Sequence, residues 1–130
     1  MPTYQDDSLA MSEETDRMSE NVKETPIQRS ILDGLLWMGL LAWRNQRIPT
    51  PIRRGRQIVG LRKADPHTVG MPDILCVIKG HLIGLEVKTD KGKQEPDQIE
   101  WQAKLERAGG TYAVVRSWED TEKIIKPFIS

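Results

Sequence analysis

Cysteine is almost missing from this chain. Cys76 is the only one in 130 residues, so neither an intramolecular disulfide framework nor a cysteine knuckle for a metal can form. Histidine is nearly as scarce: His67 and His81 stand fourteen residues apart, a poor supply for a zinc site. No apolar run approaches the eighteen or so residues that a membrane span needs. The longest, around residues 31–43, is interrupted by Asp33, Gly34 and Gly39. The opening residues lack the basic-then-apolar layout of a signal peptide. The expectation is a cytoplasmic protein with no membrane partner.

Net charge is missing too, because 19 basic and 19 acidic residues cancel. The balance conceals a division. Residues 1–24 carry seven acids against Arg17 and Lys23, a net of −5, and the other 106 residues carry 17 bases against 12 acids, a net of +5. Within that basic body Arg44, Arg47, Arg53, Arg54, Arg56, Arg62 and Lys63 follow one another with no acid between them. Such a stretch suits a phosphate-bearing partner, and these seven are the candidate nucleic-acid-binding residues. The length fits one domain. Residues 1–22, polar and without a sustained period, read as a mobile acidic leader, and residues 23–130 as the folded domain.

Thr25 offers an N-cap and Pro26 a first helical position. Ile27, Ile31, Leu32, Leu35, Leu36 and Met38 then recur at helical steps up to a stop at Gly39. Residues 40–45 can enter a strand with Leu41, Trp43 and Asn45 on one face. The Arg-, Gly- and Pro-rich text of residues 46–66 reads as a loop or irregular hairpin with a short strand near Gln57–Leu61. A second helix is expected over Pro96–Ala108, with Ile99, Ala103 and Leu105 inward, and a strand over Thr111–Arg116. Ser117 then caps a last helix, with Asp120 completing a capping-box pattern. The order α, β, (β), β, β, α, β, α predicts an α/β domain on a mixed sheet.

The most informative text is GMPDILCVIKGHLIGLEVK, residues 70–88. Two apolar, β-branched runs flank Gly80-His81, which reads as a hairpin turn. With that turn, Asp73 lies opposite Lys88 and Leu75 opposite Glu86. Directly opposed residues share a face, so Asp73, Glu86 and Lys88 converge on one side, at the end away from the turn. Cys76 falls on the other face, as a small buried hydrophobe. Taken singly, Asp73 can merely start a strand and Glu86 with Lys88 can be a solvated ion pair. Their convergence among aliphatic residues favours a site. Two close carboxylates suit magnesium or manganese, and a lysine beside them can orient a water and neutralise developing charge.

The sequence Pro72-Asp73, followed by a strand, a turn and Glu86-Val87-Lys88, resembles the PD-(D/E)xK motif of the restriction-endonuclease-like nucleases. The wider text is similar to the VRR-NUC family of virus-type replication–repair nucleases. Gly70-Met71-Pro72 precedes the aspartate, and Gln98 and Trp101 occupy the family's Q-x-x-W position. Glu24 with Ile27-Gln28 opens the first helix, and Trp43-Arg44 with Gln46 follows it. This resemblance implies a restriction-endonuclease-like core, a mixed β-sheet flanked by helices in αβββαβ order. It implies a Mg2+- or Mn2+-dependent endonuclease with Asp73, Glu86 and the Val87 carbonyl as metal ligands. Lys88 would be the catalytic lysine, Glu24 an additional acid and Gln98 a supporting residue. Small stand-alone members are similar to Holliday-junction resolvases, so branched DNA and a second copy of the chain are the implied partners. A non-catalytic DNA-binding module on the same fold is the alternative; a protein–protein adaptor using the acidic leader is a weaker one.

Overall fold

The computed structural model describes residues 24–45, 50–62 and 68–130. Helix α1 runs through residues 24–37, followed by β1 (Leu41–Arg44), β2 (Thr50–Arg54) and β3 (Gln57–Arg62). Then come β4 (Ile74–Ile78), β5 (His81–Val87), α2 (Pro96–Arg107), β6 (Thr111–Val115) and α3 (Trp118–Ile129). β1, β4, β5 and β6 form one sheet in that order, antiparallel except for the β5–β6 pair, whose parallel register follows from the α2 crossover. The mixed α/β class and mixed sheet are as expected. The irregular segment proves to be a bulged hairpin, β2–β3, forming a separate two-stranded sheet. Among the described residues no helix is long and apolar enough to cross a membrane.

Period-two alternation sorts the hairpin side chains between two layers. Ile74, Cys76, Ile78, Ile83, Leu85 and Val87, with Val115, pack against Ile31 and Leu35 of α1 and Ile125 of α3. Gly34 lets these helices approach, since a β-carbon there would lie within 2.7 Å of the Trp118 ring. The opposite face carries Leu75, Gly84, Glu86 and Tyr112 under α2. Gly84 is needed because a β-carbon would stand 2.6 Å from Pro72 Cγ and 3.4 Å from Leu105.

Four local expectations need correction. Residue 24 is already helical, so Thr25 and Pro26 lie inside α1 rather than at its cap. The hairpin turn is Lys79-Gly80, not Gly80-His81: both residues have positive φ (50° and 81°), as a two-residue type I′ turn demands. His81 is thereby released into β5, opposite Ile78, where it stacks on Phe128 at 4.4 Å and bonds Thr111 Oγ1 at 2.8 Å. The inward stripe of α2 is Gln98, Trp101, Gln102 and Leu105, whereas Ile99 is 53% exposed and Ala103 is also exposed. With so little apolar surface on α2, polar contacts set its rotation. Finally, Ser117 does accept from the Asp120 N–H at 3.1 Å, but the Asp120 carboxylate reaches back to the Arg116 N–H, not to that of the cap.

Candidate active site

Moving the turn by one residue changes which residues oppose each other. The observed register pairs Ile74 with Leu85, and continuing it by one rung sets Asp73 opposite Glu86 instead of Lys88. Which residues share a face is unchanged, because the partner moves by two residues and side chains alternate with period two. Asp73 Oδ2 accepts the Val87 N–H at 2.8 Å. Glu86 is only 3% exposed, and its Oε1 accepts from Gln98 Nε2 at 2.7 Å and lies 3.7 Å from Lys88 Nζ.

Backbone geometry explains why these elements meet. Gly70 has φ 86°, and a β-carbon there would collide with the Asp97 carbonyl oxygen. Only glycine lets the segment leading to Pro72-Asp73 seat itself on the start of α2, the turn that carries Gln98. Gln98 is then oriented by its own helix. Its Oε1 accepts the Glu95 N–H at 2.8 Å within a reciprocal capping box, which leaves its NH2 group to donate to Glu86. The loop after β5 is held by Arg116, whose guanidinium donates to the carbonyls of Thr89 and Gly92.

Electrostatically the pair is under pressure. Burial, then the negative charge of Asp73, push the Glu86 carboxyl from 4.5 up to about 8; Lys88 opposes this and Glu24 adds to it. Burial also raises Asp73, against the Val87 N–H and the charges of Lys88 and Arg44. Burying Glu86 costs a few kcal/mol. Aliphatic neighbours at about 2 kcal/mol each can offset that cost, which explains how so apolar a hairpin tolerates the residue. Glu86 Oε2 is buried without a hydrogen-bond partner.

No family model and no curated protein matches this chain.

Asp73, Glu86, Val87, Lys88 and Gln98 come together. Glu24 is near enough for its charge to act on Glu86, and Arg44 acts on Asp73 from the end of the neighbouring strand. The basic stretch, by contrast, is divided. Arg53, Arg54, Arg56 and Arg62 sit on the β2–β3 hairpin, and Arg47, Lys63 and His67 lie outside the described residues, as do residues 1–23. Among the described residues no three or more carboxylate, histidine or cysteine side chains form a metal cage. Two carboxylates, one with an orphaned buried oxygen, still fit magnesium, which often takes one or two carboxylates and completes its shell with water. The Val87 N–H points at Asp73, and a strand residue's carbonyl leaves on the same edge as its N–H, so this oxygen is a third donor on that side.

One residue beside Glu86 escapes a reading by motif. Tyr112 is buried on β6 with its hydroxyl next to Gln94 and Glu86, and its pKa is pushed upward by burial and then by Glu86. Nothing in the strand pattern marks it, since its position depends on the β5–β6 pairing. Gln28, part of the motif text that opens α1, is 8% exposed with its Oε1 unpartnered. Its spacing from Ile31 and Leu35 puts a polar group on the buried stripe of α1, a signal legible in the sequence.

Proposed function

We propose that this chain is a divalent-metal-dependent endonuclease that hydrolyses DNA phosphodiesters, with branched DNA such as a Holliday junction as its substrate. The observation that carries this reading is the meeting of Asp73, Glu86 and Lys88 at the open end of an apolar hairpin, since a simple DNA-binding surface has no use for a buried carboxylate set against a half-buried one. With the β2–β3 hairpin set aside, the elements from α1 to β6 run α, β, β, β, α, β, which supports the restriction-endonuclease-like and VRR-NUC reading.

Asp73, Glu86 and the Val87 carbonyl would hold the magnesium or manganese, which would supply Lewis-acid stabilisation and activation of water. The remaining work falls to side chains. Lys88, its ammonium beside Glu86, orients the water and neutralises charge developing on the phosphate. Gln98 fixes the Glu86 rotamer, Glu24 adds negative potential, and Arg44 holds a phosphate next to Asp73. The cationic β2–β3 hairpin offers a further DNA surface.

Cutting both strands of a junction symmetrically takes two sites, so a homodimer is part of the proposal. The exposed apolar side chains of Trp37, Leu41 and Trp43, at the end of α1 and on the edge strand β1, support self-association. A cytoplasmic location is proposed with it.

The test is a panel of labelled four-way junction, flap, splayed-arm, duplex and single-stranded DNAs incubated with Mg2+, Mn2+ or EDTA. Metal-dependent cutting that favours branched DNA is expected. Salt-sensitive binding that survives EDTA, with no cutting under either metal, would leave a non-catalytic binder instead. Gln98→Ala is expected to weaken Mn2+ binding, followed by calorimetric titration, by about ten-fold or more, as loss of a residue orienting a ligand commonly does.

A further inference from the structure

The four arginines of residues 50–62 look equivalent in the sequence, but the hairpin does not present them equivalently. Among the described residues β2 and β3 pair only with each other, joined through Gly55-Arg56, and every residue of this arm is exposed except Gly60, which is half-buried. The register places Thr50 against Arg62, Ile52 against Gly60 and Arg54 against Gln57 on one face. Pro51 against Leu61 and Arg53 against Ile58 occupy the other, and Val59 is the unpaired residue of the bulge. One face therefore carries Arg54 and Arg62, with Arg56 at the tip. The other is mainly aliphatic and holds Arg53 alone.

An isolated two-stranded hairpin is marginal in water. This one has four arginines and no acid in thirteen residues, so its electrostatic complement is a polyanion. Arg54 and Arg62 stand four rungs apart, about 13 Å along the ribbon at roughly 3.3 Å per residue. The major groove of B-form DNA, about 12 Å wide, accepts a two-stranded ribbon with phosphates on both margins.

We propose that the β2–β3 arm docks duplex DNA through the face carrying Arg54 and Arg62 and the tip residue Arg56, while Arg53 faces away from the duplex. This deepens the nuclease reading by assigning the element that grips a duplex arm of the substrate. It relies on the chain acting on DNA, not on its being catalytic.

The experiment is fluorescence-anisotropy titration of a labelled duplex in EDTA over a series of salt concentrations. It compares wild type, Arg54→Gln/Arg62→Gln and Arg53→Gln. Each lost phosphate contact flattens the slope of log K against log[salt] by about 0.9, so the double variant is expected to flatten it by about 1.8 and Arg53→Gln to leave it unchanged. Because both neutralise arginines in the same exposed arm, Arg53→Gln also controls for folding, and a non-specific charge effect would flatten its slope by half as much as in the double variant. Duplex RNA of the same sequence is expected to bind more weakly, its major groove being too narrow for the ribbon. Flattening by about 0.9 in Arg53→Gln, an unchanged slope in the double variant, or equal affinity for duplex RNA would overturn the proposal. So would loss of dimer by light scattering in Ile58→Glu/Leu61→Glu with no slope change in the double arginine variant, which would assign the arm to a second copy. An unchanged slope alongside metal-dependent cutting removes the arm's role and leaves the nuclease; a flattened slope without cutting retains the arm on a non-catalytic protein.

Discussion

Glu86→Gln is expected to stabilise the metal-free protein at pH 8, although it removes a charge from the centre of the site. The native Glu86 carboxyl is raised from 4.5 to about 8, first by burial and then by Asp73. Between those values the folded protein holds more protons than the unfolded chain, so its stability falls as pH rises. The penalty is absent below the unfolded pKa and fully present above the folded one, with a slope of at most about 1.4 kcal/mol per pH unit. Asp73, raised in the same sense, adds to it. Urea melts in EDTA at pH 5, 6.5 and 8 check this: wild type loses up to a few kcal/mol across the range, and the glutamine variant follows a flatter curve. Parallel curves would mean that Glu86 is solvated as an ordinary carboxylate. Adding Mn2+ at pH 8 is expected to restore the wild type, by about 2.7 kcal/mol at a hundred times the dissociation constant, and to leave Glu86→Gln nearly unmoved. The difference in the size of the metal effect between the two proteins thus reports whether the carboxyl pair is a cation site.

Lys88→Met carries the second large effect. The lysine side chain is 11% exposed, so methionine retains most of the packing of its stem while removing the ammonium. Cleavage of the preferred DNA at saturating Mn2+ is expected to fall by about 10²- to 10⁴-fold. Duplex binding in EDTA is expected to change little, because a single lysine inside the site contributes at most one phosphate contact. Saturating metal is required, because removing the positive neighbour changes the affinity of the carboxyl pair for protons and for cations alike. Cleavage within a few-fold of wild type would make Lys88 a structural counter-ion for Glu86 and transfer the water-orienting role elsewhere.

Much of the site was legible because it rests on parity. Asp73, Glu86 and Lys88 share a face for any two-residue turn in this hairpin, so placing the turn at Gly80-His81 instead of Lys79-Gly80 left the trio intact and misjudged only which residue opposes Asp73. Gln98 came from resemblance alone. A helix with Ile99 exposed and Gln98 turned inward departs from its hydrophobic pattern, and the Gln98 bonds to Glu86 and Glu95, with Leu105 packed against Gly84 and Gly110, account for that rotation. The cationic stretch was visible as composition, but its division between the sheet edge and a separate ribbon was not.

What the sequence determined by itself is whatever depends on spacing along the chain: the alternating strands, the amphipathic α1, the Ser117 cap and the common face of the acid–acid–lysine set. The tertiary structure decided what depends on contacts between distant segments. The parallel β5–β6 pairing brought Tyr112 beside Glu86, the left-handed Gly70 seated Pro72-Asp73 on the first turn of α2, and burial from both layers raised the Glu86 carboxyl. Local periodicity cannot encode these, because desolvation and charge coupling arise only when chain segments far apart in sequence exclude water together.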